Sequence, residues 1–574
     1  MKRLRRLGAW LERAPFWQPL LGLFVFAFAL RCLYLIQIAE SDFFRAPVGD
    51  AFSYDEWASA VQKDFIGKEV FYQAPLYPYF LAGIYALLGH DLFLARVVQA
   101  AVGALACVLL AGAGRAFFSR KLGLLAGILL AAYGPALFFT GILQKTTLDL
   151  FFTAALLYGL GQVEQDSRRG WLTFSGLVLG CLALTRENAL LLLPVLAVWF
   201  GYRRGRGTLA PFLLGASLVL GPVALRNYAV GGEPFVTSSQ FGVNLYLGNN
   251  AEADGTYTPL RFGRGSFAME REDAIGIAEH AVGHRLSPAQ VSHYWSSKAV
   301  AWITAHPWAF LKLLARKWLL VWNDHEIPDS DDPSVYLSES SLLRATWLLF
   351  SFGTLCPLAL VGVVATFDER RRLGAVYLLV LGSAASAALF VVFARYRAPL
   401  IPPLALFAAA GIAQLGAVLE QRRSRVALSH GALVAAAVVI TRIPLLAAEG
   451  SRAMAFYNVG VTLESQGEVK RAAENYRSAL SADPNFEQAH VNLGALLARD
   501  GSFAEAIEQE QAALLENPRD AVAHTIWANA LLESGKLDEA DQHYRAAIGL
   551  DPNLQAARDG AAVLQDLRQR QPAP

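Results

Sequence analysis

Eleven apolar runs divide this chain of 574 residues, and no other feature constrains it as much. A helix needs about 20 mostly apolar residues to cross a bilayer, where every backbone polar group must be satisfied within the segment. The runs are 16–38, 92–118, 122–140, 148–163, 171–184, 189–200, 209–228, 343–367, 373–393, 399–419 and 426–446. Hydrophobic residues make up 55% of the chain and charged residues 17%, against about a quarter charged in soluble domains. That excludes a single soluble domain, a disordered chain and a disulfide-rich secreted module. The net charge of +2 gives no sign of a nucleic-acid partner, and it hides two unlike parts. Residues 448–574 carry 11 Lys and Arg against 19 Asp and Glu, while the remainder carries 39 against 29. A basic membrane domain, 1–447, precedes an acidic soluble one, 448–574.

Basic clusters stay on the cytoplasmic side of a membrane protein. They occur at Lys2, Arg3, Arg5, Arg6 and Arg13, at Arg120-Lys121, Arg168-Arg169, Arg203-Arg204-Arg206, Arg370-Arg371-Arg372 and Arg422-Arg423-Arg425. Eleven spans put all six on one side. The N-terminus is then cytoplasmic, and the outer face receives loops 39–91 and 229–342, the short turn 141–147, Arg395–Arg397 and the C-terminal domain. Two further apolar pieces, 75–88 and 307–322, read as helices lying along the membrane surface. The first run is long and lacks a small-residue cleavage site, so it reads as an anchor rather than a signal peptide.

The C-terminal part repeats every 34 residues. Pro484, Pro518 and Pro552 keep that spacing, as do Gly467, Gly501 and Gly535, and the alanines Ala472, Ala506, Ala540 and Ala479, Ala513, Ala547. This is the tetratricopeptide period, in which small residues let paired helices pack, glycine makes the turn and proline ends the second helix. Three repeats follow at 453–486, 487–520 and 521–554, with a capping helix at 555–570. Glu510 stands where repeats one and three have Tyr476 and Tyr544.

Candidate chemistry concentrates at the outer ends of spans. The first outer loop holds Asp50, Tyr54, Asp55 and Glu56, and a carboxylate there can act as base or orient an acceptor hydroxyl. The turn 141–147 brings Lys145, with Asp149 just inside the next run. Arg395-Tyr396-Arg397 runs against the positive-inside tendency, and so does Arg186; arginines placed there suit a lipid-linked phosphate. Cys32, Cys107, Cys181 and Cys356 lie in apolar runs without metal or disulfide spacing. His280 and His284 stand four apart, but no third His or Cys completes a metal set. Neither a phosphate-cradling glycine loop nor a nucleophile elbow occurs, so the sequence offers no soluble nucleotide site.

The order of these features resembles the membrane glycosyltransferases of the C superfold. It is closest to the bacterial set related to protein O-mannosyltransferases and lipid A aminoarabinose transferases. The resemblance rests on Asp50…Tyr54…Trp57, Gln73-Ala74-Pro75-Leu76-Tyr77-Pro78, Arg226-Asn227-Tyr228, Asn244–Asn250, Arg316-Lys317-Trp318…Trp322-Asn323-Asp324-His325-Glu326 and Arg395-Tyr396-Arg397…Pro399…Pro402, in that order. It implies an all-α chain: a polytopic helix bundle of about eleven spans, then a tetratricopeptide α-solenoid. It implies an inverting transfer at the periplasmic face of a bacterial inner membrane, from a polyprenyl-phosphate sugar. Asp50 would be the base or acceptor-orienting carboxylate, with Asp55, Glu56 and Asp149 as alternative acids. Arg395, Arg397, Lys145 and Arg186 would hold the donor phosphate, and Tyr54, Asn249, Asn250 and Glu326 would belong to the substrate loops. The repeats would bind an acceptor or partner protein. Some family members use a second loop acid to hold a divalent metal; here Gln144-Lys145-Thr146 stands near that place, which leaves a metal open. Gln73-Ala74 replaces the lysine expected of an aminoarabinose transferase. The competing readings are a non-enzymatic repeat-bearing membrane scaffold and a lipid-linked sugar transporter.

Overall fold

The computed structural model describes residues 14–166, 168–261, 267–421, 424–446 and 451–570. Lys2, Arg3, Arg5, Arg6, Arg13, Arg422 and Arg423 of the basic clusters lie outside the described residues, as does the 447/448 boundary. Every regular element among the described residues is a helix, so the chain is all-α as expected. It forms two compact units. One is built on Gly49–Asp329 and Tyr336–Leu446 with the segment up to Arg45; the other is built on Ala447–Pro574 with 46–48 and 330–335.

In the first unit, Trp17–Ile38, Leu92–Phe117, Arg206–Gly231, Ser341–Ala365 and Ala394–Glu420 are long and apolar enough to cross a membrane. A sixth crossing would be Arg120–Ala132 with Gly134–Thr140, which bend by 55° at Tyr133. The break has a local cause: Pro135 at the start of the second piece has no N–H to donate to the preceding turn. Of the remaining runs, Arg169–Thr185 and Gly374–Leu389 are shorter apolar helices, while Thr146–Gln165 has 20 residues but is not among the helices apolar enough to cross. Close helix pairing relies on small residues, as is common in membranes. Gly176 on Arg169–Thr185 lies against the Phe212 carbonyl of Leu209–Gly231, where a Cβ would collide with backbone. The two pieces expected to lie along the membrane surface are the helices Leu76–Leu88 and Pro307–Val321. The latter turns Leu313, Lys317, Leu320 and Val321 inward.

Four short elements position the candidate site. Helix Gly49–Lys63 starts at a glycine of φ +53° and carries Asp50 in its first turn, where a carboxylate suits the helix dipole. The turn 141–147 is buried throughout and leads into Thr146–Gln165. A 3-10 turn, Glu187–Leu191, follows Arg186. The fourth is a 3-10 stretch, Ala394–Leu400, ahead of helix Ile401–Glu420. Pro399, Pro402 and Pro403 lack the N–H groups that would extend that helix backwards. The extended chain before it is pinned by Val392 N–H to the Gly255 carbonyl at 2.9 Å and Ala394 N–H to the Ile327 carbonyl at 3.0 Å.

The second unit contains three helix pairs, from Ser451–Ser465 to Leu537–Leu550, and then Gln555–Arg570. Gly467, Gly501 and Gly535 adopt φ +82°, +84° and +75°, the left-handed turn that their 34-residue spacing implied. All six periodic alanines are fully buried between helices.

Candidate active site

Asp50 and Arg395, 345 residues apart in sequence, form an ion pair. The second arm of the same guanidinium, Nη2, reaches Asp329 Oδ2 at 2.9 Å. Arg395 is therefore occupied by two carboxylates rather than held ready for phosphate. Burial opposes the Asp50 charge, but Arg395, with Lys145 behind it, holds its carboxyl below the usual range. Glu270, also buried, accepts from Gln240 Nε2 at 2.7 Å and from the hydroxyls of Tyr257 at 2.7 Å and Tyr72 at 3.3 Å. Burial outweighs these bonds and pushes its carboxyl up. The Tyr54 hydroxyl is buried beside Asp50 and makes no hydrogen bond among the described residues.

A cavity of about 260 Å³ lies near this cluster; Asp50, Tyr54, Glu270, Asp329 and Arg395 do not line it, but Lys145, which acts electrostatically on Asp50 and Asp329, does. Lys145, Arg186, Glu187, Asn188, Thr237, Ser238, Asn244 and Tyr396 supply its polar side, while leucine, valine and phenylalanine side chains supply the rest. Arg186 is fixed by Asp149 Oδ2, from Nε at 2.8 Å and Nη2 at 2.6 Å, and its guanidinium stacks on Tyr396 at 4.7 Å. Glu187 Oε1 accepts from Ala74 N–H at 2.7 Å and Ser238 Oγ at 3.0 Å, which ties the Gln73-Ala74-Pro75 segment to the cavity wall. Lys145 is the exception. It is buried, yet its amine makes no hydrogen bond or ion pair among the described residues. Burial pushes that amine down, and Arg186 and Arg395 add to the effect against Glu187 and Asp149.

The other sequence candidates are placed elsewhere. Asp55 accepts from Tyr85 Oη at 2.6 Å and meets His90 Nε2 at 2.8 Å, and Glu56 is exposed. Arg397 is closed off by Glu326 at 2.5 Å and by the carbonyls of Asn323 and His325, so both terminal nitrogens are taken. Asn249 and Asn250 hold backbone: Asn249 Nδ2 donates to Leu245 and Leu389 carbonyls, and Asn250 Nδ2 to the Tyr246 carbonyl, each at 2.9 Å. Arg397, Glu326, Asn249 and Asn250 thus shape the fold around the cavity rather than line it. Asp329, Glu187 and Glu270 escaped the sequence reading; only the density of acids in 324–332 pointed towards the first. A divalent metal does not fit this donor set. Arg395 occupies Asp50 and Asp329, Arg186 occupies Asp149, and no three His, Cys, Asp or Glu side chains converge among the described residues.

Residues 72–225 match the family model described as dolichyl-phosphate-mannose-protein mannosyltransferase. The chain resembles membrane glycosyltransferases. The matched segment holds Lys145, Asp149, Arg186 and Glu187, but neither Asp50 nor Arg395. Behind it, 457–524 and 492–555 match the tetratricopeptide repeat. No curated protein matches the chain. Among solved structures, the archaeal oligosaccharyltransferase AglB from Archaeoglobus fulgidus, in complex with an inhibitory peptide and a dolichol-phosphate, is 14% identical. That likeness covers 85% of this chain and 58% of the other, with a TM-score of 0.39. The first tetratricopeptide domain of human RPAP3 is 23% identical over 21% of this chain and 93% of its own, with a TM-score of 0.20. Both likenesses are slight over the whole chain.

Proposed function

We propose that this chain is an integral-membrane glycosyltransferase that moves a sugar from a polyprenyl-phosphate donor to an acceptor at the outer face of the membrane. One observation carries the reading: a buried lysine without a hydrogen bond or ion pair stands in a largely apolar cavity beside a paired aspartate. A buried cation in that state is costly unless an anion answers it. A prenyl phosphate supplies the anion and an apolar chain together. Lys145, with Arg186 held on Tyr396 in the same cavity wall, would take the phosphate oxygens, where charge grows as the sugar departs. Asp50 would meet the acceptor hydroxyl, and attack opposite the phosphate would invert the anomeric carbon. Glu187, Ser238 and Asn244 offer acceptors and donors for sugar hydroxyls. A scaffold would have no use for such a cluster, which weighs against that alternative.

By the orientation rule this site and the repeats would lie on the non-cytoplasmic side, which the resemblance makes the periplasmic face of a bacterial inner membrane, where the repeats would present a surface to an acceptor or partner protein. Labelling Ser534→Cys from outside intact cells checks the second point; reaction only after rupture would place the repeats in the cytoplasm. Purified full-length protein in lipid discs, given a panel of radiolabelled polyprenyl-phosphate sugars and an acceptor mixture, checks the activity. Transfer by the wild type and its loss in Asp50→Asn are expected. No transfer from any donor would sink the reading.

A further inference from the structure

The Arg395 guanidinium joins two acids, and only one of them has so far been given a task. It reaches Asp50 through Nη1 and Asp329 Oδ2 through Nη2 at 2.9 Å. A planar guanidinium with one carboxylate on each arm fixes both acids relative to one another. They are not equally enclosed: the Asp329 side chain is 24% exposed, that of Asp50 15% and that of Arg395 9%. Asp329 is thus the most open member of the triad. Its neighbouring backbone is held in place, since the Ile327 carbonyl accepts the Ala394 N–H one residue ahead of Arg395.

We propose that Asp329 is the general base of the transfer, and that Asp50 orients the acceptor hydroxyl. The inference rests on the transferase reading above and adds a residue to it. The acceptor oxygen forms its bond to the anomeric carbon as the bond from that carbon to the phosphate oxygen breaks. The electron pair of the broken bond leaves with the polyprenyl phosphate, and the hydroxyl proton passes to the Asp329 carboxylate. No other reactant is needed.

The electrostatics agree with this division. Burial raises Asp329 to about 6; Arg395 and Lys145 oppose the rise, while Asp50 and Glu270 support it. Tyr257 and Tyr396 also face it. Asp50 is held low by the same arginine. Two acids pushed apart in this way divide the labour: the low one stays ionised and orients, and the high one is matched to taking a proton near neutrality.

The test uses full-length protein in lipid discs and the donor panel above, with polyprenyl phosphate alone as a binding probe. Wild-type kcat is expected to fall below pH about 6. Asp329→Asn should lose at least about 100-fold in kcat, as expected for a lost base, while binding polyprenyl phosphate within about 3-fold of wild type. Its residual rate should lack the acid limb. Asp329→Glu should keep a measurable rate with the limb displaced. The proposal is overturned if Asp329→Asn keeps the wild-type limb, if its kcat stays within about 3-fold of wild type, or if both variants lose binding and rate alike. A wild type that transfers nothing overturns the transferase reading itself, and this inference with it.

Discussion

Arg397 and Arg395 stand two residues apart on one short 3-10 stretch, yet they serve opposite arrangements. Around Arg397 the charges are closed: Glu326 and two backbone carbonyls answer the guanidinium. Around Arg395 they are open: the arginine spans Asp50 and Asp329, and Lys145 beside them has no ion pair among the described residues. The first cluster is complete as it stands; in the second the Lys145 amine has no direct hydrogen bond or ion pair among the described residues.

Breaking the closed cluster should cost the most. Arg397→Ala strands a buried Glu326 and should destabilise the membrane unit by about 3–5 kcal/mol. Thermal unfolding in detergent checks this, and Arg397→Met with Glu326→Met should recover much of the loss. Any Arg397→Ala protein that does fold should bind donor normally. At the open cluster, Asp50→Asn should lower transfer by about 100-fold or more without loss of folded yield. Lys145→Met should raise donor KM by about 10-fold and leave the unfolding midpoint unchanged or higher, because it removes a buried amine with no direct hydrogen-bond partner among the described residues. A large loss of stability in that variant would show Lys145 to be structural.

The repeats supply a third case. Glu510 is fully buried, neither carboxylate oxygen has a partner among the described residues, and Gly494 leaves it room. Burial, with Asp520 adding to it, pushes its carboxyl to about 9. The folded repeat therefore keeps a proton that the unfolded chain releases near 4.5. Its contribution to stability is full below about pH 4.5 and is lost as pH rises through about 9. Amide exchange of Phe503–Glu516 in the full-length protein, corrected for intrinsic rates, should show weaker protection at pH 9.5 than at pH 6. Glu510→Gln should flatten that difference.

Sequence order carried the helices and the repeats because both are written as period. Apolar length marks a span, and a glycine, an alanine pair and a proline every 34 residues mark a tetratricopeptide. The site was legible in part, for a related reason: in a chain so poor in charge, Asp50, Lys145, Arg186 and Arg395 stand out wherever the orientation rule does not ask for them. What could not be read was pairing. Asp329 lies in an acidic loop stretch, where most acids are solvated, and its partner is 66 residues further on. Arg397 looked equivalent to Arg395, but a 3-10 turn has three residues per turn, so residues two apart face different sides. Asn249 and Asn250 looked like substrate contacts because buried asparagines in a loop and backbone-holding asparagines have the same sequence.

Binding of radiolabelled polyprenyl phosphate to the purified full-length protein tests the central claim most directly, because it needs neither the sugar nor the acceptor. Saturable binding by the wild type, weakened about 10-fold in Lys145→Met and unchanged in Asp55→Asn, is the result expected of an open cluster awaiting a lipid-linked anion. Equal binding by wild type and Lys145→Met would contradict it.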